Sequence, residues 1–76
     1  MSKLDDYQIS LPLGARRVFS DAAISLALFL DANDDEDAEA YYYKRYKFNI
    51  DYAVDKFGVD IVFFDFYVRQ YARELN

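Results

Sequence analysis

Tyr43, Tyr46, Ile50, Ala53 and Phe57 recur at steps of three and four residues, and the run stops at Gly58. That spacing is the seam of an α-helix, and glycine suits the left-handed residue that ends one. The pattern predicts a helix from about Asp35 to Phe57, with Val54 widening its seam. At about 100° per residue, Tyr41, Phe48 and Tyr52 cluster about 160° away, on the opposite side. A helix apolar on two sides is either sandwiched between neighbours or buried on one side and adhesive on the other.

The chain is short enough for this to matter. Its 76 residues make one domain at most, with little room for a core. Eight Tyr and seven Phe supply 20% of the residues, and there is no cysteine to add a disulfide. The aromatics are therefore buried within one chain or against a second one, which raises a homodimer as a possible arrangement.

The flanking segments read as follows. Ile9, Leu11 and Leu13 alternate, and Pro12 bars a central strand, so residues 1–13 are expected as an extended arm lying on the body. Gly14 ends it. A helix is expected over about 15–31, beginning near Ala15 or at Ser20, a good N-cap with Asp21 behind it. From Ala22 to Leu30 it is apolar nearly all round, which places it centrally or in an interface. Asn33 and Asp34 suit a turn, and Asp34 or Asp35 can cap the long helix. Asp60 is a plausible cap for a last helix over about 60–75. There Phe64, Val68, Tyr71 and Leu75 repeat at helical spacing, and Asp65 and Arg69 form an i,i+4 pair. The Val, Ile, Phe and Tyr of 59–68 leave a strand as the alternative. The expected fold is all-α, a small three-helix bundle with an extended N-terminal arm and the 35–57 helix as its spine; a strand over 59–68 would make it α+β. No repeat or second domain is visible.

Charge is unevenly spread. The net value is −5, yet six of the nine residues from Asp31 to Glu39 are acidic: Asp31, Asp34, Asp35, Glu36, Asp37 and Glu39. Residues 1–40 sum to −6 and residues 41–76 to +1. A solvated turn feeding a helix N-terminus, where the dipole favours carboxylates, explains such a cluster. An anionic face for a basic partner, including a groove that otherwise holds phosphates, explains it too. Asp31, Asn33, Asp35, Asp37 and Glu39 match alternate positions of a calcium loop, but Glu36 stands where the turn needs glycine and Tyr42 where a bidentate Glu belongs. No metal site and no cofactor are expected.

Tyr41 to Phe48 interleaves aromatics with Lys44, Arg45 and Lys47, a composition that can stack on bases and neutralise phosphates. On a helix these residues diverge, no basic stripe forms, and the net charge opposes phosphate. Arg16 and Arg17, with Phe29, are candidate contacts to a second subunit, the arginines meeting its acid cluster. Asp65 between Phe64 and Phe66 could hold a raised pKa, but pairing with Arg69 is the simpler role. With no His, no Cys, and Gly14 and Gly58 far apart, thiol, imidazole and phosphate-loop chemistry lack their residues.

The sequence therefore points to binding, not catalysis. The favoured reading is an acidic inhibitor or neutraliser, of the kind phages and mobile elements encode, docking on a larger basic enzyme. Its contact residues would be Tyr41, Phe48 and Tyr52 with the acids of 31–39. The alternatives are a helical nucleic-acid-binding or regulatory domain using 41–48 and a structural homo-oligomer. Nine nearly apolar residues from Ala22 to Leu30 fall short of the roughly 20 a bilayer needs, and no apolar stretch follows Lys3. A cytoplasmic protein without membrane partners is expected.

Overall fold

The computed structural model describes residues 3–76, and among these it contains four helices and no strand. They are α1 (Lys3–Ser10), α2 (Leu13–Asp31), α3 (Glu36–Phe57) and α4 (Ile61–Leu75). Residues 59–68 take the helical alternative. The all-α expectation holds, with one helix more than expected.

Local chemistry sets most of the boundaries. Asp35 caps α3, its Oδ1 accepting the Ala38 N–H at 3.0 Å, and Glu36, Asp37 and Glu39 crowd the positive end of the helix dipole. Gly58 ends α3 in left-handed backbone at φ 65°, with its N–H donating to the Val54 carbonyl at 3.0 Å. Two residues on, Asp60 starts α4 by accepting the Val62 and Phe63 N–H groups at 2.9 and 3.3 Å. The start of α2 differs from the expectation. Pro12 precedes its first residue, and Ser20 lies inside the helix instead of capping it. A proline there removes no hydrogen bond, because the first helical N–H groups have no intrahelical acceptor.

The extended arm is corrected to a helix; its first two residues lie outside the described ones. Leu4 is buried and Tyr7 half-buried about one helical turn on, so one face of α1 meets the core, and Leu11, just past the helix end, is buried as well. The alternating set is not shared: Ile9 is 60% and Leu13 78% exposed, with Leu11 alone buried. A second cause acts at the helix end. The Arg16 guanidinium donates to the carbonyls of Leu11 (3.0 Å) and Ile9 (2.7 Å), and Ser10 Oγ donates to the Tyr7 carbonyl at 2.6 Å. These donors satisfy acceptors that the end of α1 leaves open.

The spine is also corrected. Helix α2 packs along α3 on one side and α4 on the other, while α3 and α4 touch each other sparingly. Ala15, Ala22, Ala23 and Ala27 of α2, with Ala53 of α3 and Ala72 of α4, are buried small residues at which helices approach closely. Larger side chains fill the space toward α4. Phe19, Phe64 and Val68 are fully buried, and the Phe19 ring meets the edge of Phe64 at 5.5 Å and stacks on Tyr71 at 5.9 Å. Tyr7 tilts onto Phe19 at 5.9 Å and stacks on Tyr67 at 4.4 Å, which docks α1 onto this aromatic group. The body measures 36 × 28 × 18 Å. Its thinness leaves the outer side of α3 without a covering layer. Among the described residues no helix is long and apolar enough to cross a membrane.

Candidate interaction surface

Helix α3 carries the surface. Its inward side buries Tyr46, Asn49, Ile50 and Ala53 against α2, with Phe57 half-buried below. The side turned away presents Tyr41, Phe48 and Tyr52, which are 56%, 66% and 41% exposed. The structure leaves one apolar side of α3 buried and the other exposed to solvent. The Phe48 and Tyr52 rings stack at 6.2 Å and Tyr52 meets the edge of Phe57 at 6.2 Å, so the stripe is ordered against its own helix.

The stripe continues past α3. A hollow of about 340 Å³ between α2 and α3 is lined by Ile24, Leu28, Tyr41, Tyr42, Asp21 and Arg45. Tyr41 lines this hollow and meets Tyr42 edge-on at 5.3 Å. Ile24 and Leu28 are exposed, so the nearly all-round apolar helix α2 is central without being wholly covered. The acids stand at one end of the same surface. Asp31, Asp34, Asp35, Glu36 and Asp37 are exposed and Glu39 is partly covered. Asp35 is committed to the α3 cap, and among the described residues no group of three or more acids is arranged to hold a metal ion.

The candidate oligomer contacts divide. Arg17 is exposed. Arg16 is engaged by the α1 carbonyls, and Phe29 is half-buried against the Tyr43 ring at 5.3 Å.

A second concave region lies between α3 and α4, where the two helices diverge. It encloses about 350 Å³ and is lined by Tyr43, Tyr46, Lys47, Ile50, Ile61, Val62, Asp65 and Arg69. At its base the Tyr46 hydroxyl donates to Asp65 Oδ1, while Arg69 Nε donates to Asp65 Oδ2 at 2.8 Å. The Arg69 guanidinium also lies 5.9 Å from the centre of the Tyr46 ring. Burial, then donation to Asp65, holds the Tyr46 hydroxyl well above the usual tyrosine pKa. The hydrogen bond to Asp65 raises Arg69 in turn. A neutral phenol, a carboxylate and a guanidinium that satisfy one another form a clasp between helices that otherwise touch little.

The Asp65–Arg69 pair was legible from its i,i+4 spacing; its bond to Tyr46, 19 residues earlier, was not. Val62, Phe63 and Phe66 of α4 are exposed, with Val62 and Phe66 off the buried Phe64–Val68 seam. No family model, curated protein or solved structure matches this chain.

Proposed function

We propose that the protein is a non-catalytic interaction module that docks on a larger, basic protein through the outward side of α3 and the acids at its N-terminal end. The observation that carries this reading is the exposure of Tyr41, Phe48 and Tyr52 on one side of α3, with the exposed carboxylates of 31–37 preceding its N-terminal end. Buried Tyr and Phe are common at the centres of interfaces, and surrounding charge sets approach and orientation. A cluster of carboxylates meets a cationic groove as a row of phosphates would, so an enzyme that handles nucleic acid is the partner of best-matched chemistry. On such a groove the module acts by occupation, as an inhibitor or neutraliser.

Capture of partners from the native host, or from its target cell for a viral gene, tests the proposal when followed by mass spectrometry at low and high salt. A specific basic partner should be retained at low salt and released as salt rises. Changing Tyr41, Phe48 and Tyr52 together to Ala should abolish capture while the far-UV circular dichroism stays helical. Retention of the same partners by that variant overturns the proposal. Direct binding of short single-stranded or duplex DNA at low salt would transfer the stripe to the nucleic-acid reading of residues 41–48.

A further inference from the structure

The charges flanking the exposed aromatics of α3 are segregated along the helix. Tyr41, Lys44, Phe48, Asp51 and Asp55 follow one another at steps of three and four on the outward side, with Arg45 and Tyr52 beside them. Lys44 and Arg45 precede Phe48 and Asp51 and Asp55 follow it, with exposed Lys47 and Lys56 at the edges of the face. All four charged side chains on the face itself are exposed, and among the described residues none of them is ion-paired. Asp51 and Asp55 even stand at the i,i+4 spacing at which like charges repel. The pattern is poorly matched within one chain and well matched to its own reverse.

We infer that a second copy of this chain covers the α3 face when no other partner does, the two α3 helices lying antiparallel across a two-fold axis at Phe48. At about 100° and 1.5 Å per residue, Lys44 and Asp51 lie on the same flank of Phe48, about 6 Å to one side of that axis and about 4.5 Å to the other. The two-fold operation faces each flank with itself, so it sets Lys44 against Asp51 of the second copy, twice. On the other flank Arg45 comes against the Tyr52 ring of the second copy, while the Phe48 rings meet at the centre. A parallel pairing would instead set Lys44 on Lys44 and one acid turn on the other. The antiparallel one holds the turns, each about 11 residues from the axis, about 33 Å apart. That exceeds the screening length of about 10 Å several times over.

The size of the face sets the strength. The exposed parts of Tyr41, Phe48 and Tyr52 amount to about 250–400 Å² per copy, and the stems of the flanking charged residues enlarge this toward the lower end of specific interfaces. The dimer is therefore reversible, and it masks the docking face until a stronger partner displaces it. This inference rests on the reading of that face as an interface and adds its regulation.

Sedimentation equilibrium of the full chain, from low micromolar to near-millimolar concentration, tests it. The average mass should rise from one chain to two, with the midpoint moving to higher concentration as salt increases. Lys44→Asp with Arg45→Asp makes the centre of the face acidic, and Asp51→Lys with Asp55→Lys makes it basic. Each variant alone should associate at least about tenfold more weakly than the parent, and an equimolar mixture should pair more tightly than either. Restored pairing in the mixture also shows both variants to be folded. A parent chain that stays monomeric throughout, or a mixture no tighter than its components, overturns the dimer. Partner capture keeps the two proposals apart. A monomeric chain that still loses its partner on the triple Ala change leaves docking standing without the dimer. A dimeric chain whose capture ignores that change leaves the dimer standing without docking.

Discussion

Replacing Tyr46 with Phe removes one oxygen atom from the clasp between α3 and α4 and leaves the ring in place. The hydroxyl donates to the Asp65 carboxylate, and a hydrogen bond to a charged group contributes about 1.5–3 kcal/mol. Asp65 keeps Arg69 at 2.8 Å and is partly exposed, so water can replace the lost donor. The expected loss is at the lower end, about 1.5 kcal/mol at neutral pH. For a chain of 76 residues the unfolding entropy near 60 °C is about 160 cal/mol/K, so this loss lowers the melting temperature by about 9 °C. Alkaline pH supplies an independent reading. The folded Tyr46 pKa lies above the unfolded value of about 10. Its contribution is fully present below about pH 10 and is lost as pH rises from there toward the folded value, by up to about 1.4 kcal/mol per unit. Tyr7, raised by burial and then by Asp60 and Tyr67, adds to the same alkaline slope. Urea unfolding followed by circular dichroism at neutral pH and at two values above about pH 10 measures both effects. The Phe variant should be less stable at neutral pH and should lose stability less steeply above about pH 10. In Asp65→Asn the Tyr46→Phe change should cost clearly less. A neutral loss below about 0.5 kcal/mol with an unchanged alkaline slope would refute the clasp.

Gly58→Ala places a Cβ in open space but in left-handed backbone at φ 65°, so thermal melting should show a loss of about 1 kcal/mol from conformation alone. Asp60→Ala frees two N–H groups at the start of α4 and should cost about 1 kcal/mol in the same assay, with Asp60→Asn nearer the parent. Arg16→Ala removes the donors to the Ile9 and Leu11 carbonyls, so hydrogen exchange should speed up across α1 while the inner amides of α2 and α3 keep their protection.

Where a residue acts through its neighbours in the chain, its role could be read without the fold. The 43–57 seam, Gly58 as a left-handed stop, Asp35 and Asp60 as caps, and the Asp65–Arg69 pair all follow from spacings within a few turns. The grouping of Tyr41, Phe48 and Tyr52 on one side follows from the same periodicity. Two periods compete in this short segment: Ile9, Leu11 and Leu13 alternate, but Leu4 and Tyr7 share the inward face of α1 and Leu11 follows just past its end. Burial of Leu4 and Leu11 and the reach of Arg16 decided between them. Ser20 is a favourable cap by type, yet α2 runs through it because Phe19 and Ala23 on either side are buried and helical continuity holds them there.

The sequence by itself determined that this chain is largely helical, where the two central helices lie, that its acidity is local, and that α3 is apolar on two sides; helix or strand at 59–68 stayed open. These are short-range matters of hydrogen bonding, backbone freedom and side-chain direction. Only the tertiary structure decided which apolar side of α3 is covered. The small residues of α2 let α3 and α4 pack closely on either side of it, so α2 became the centre and the Tyr41–Tyr52 side met solvent. Tertiary packing also brought the Tyr46 hydroxyl to Asp65. No local spacing encodes that bond, because its partners lie on different helices and meet only once both have docked on α2.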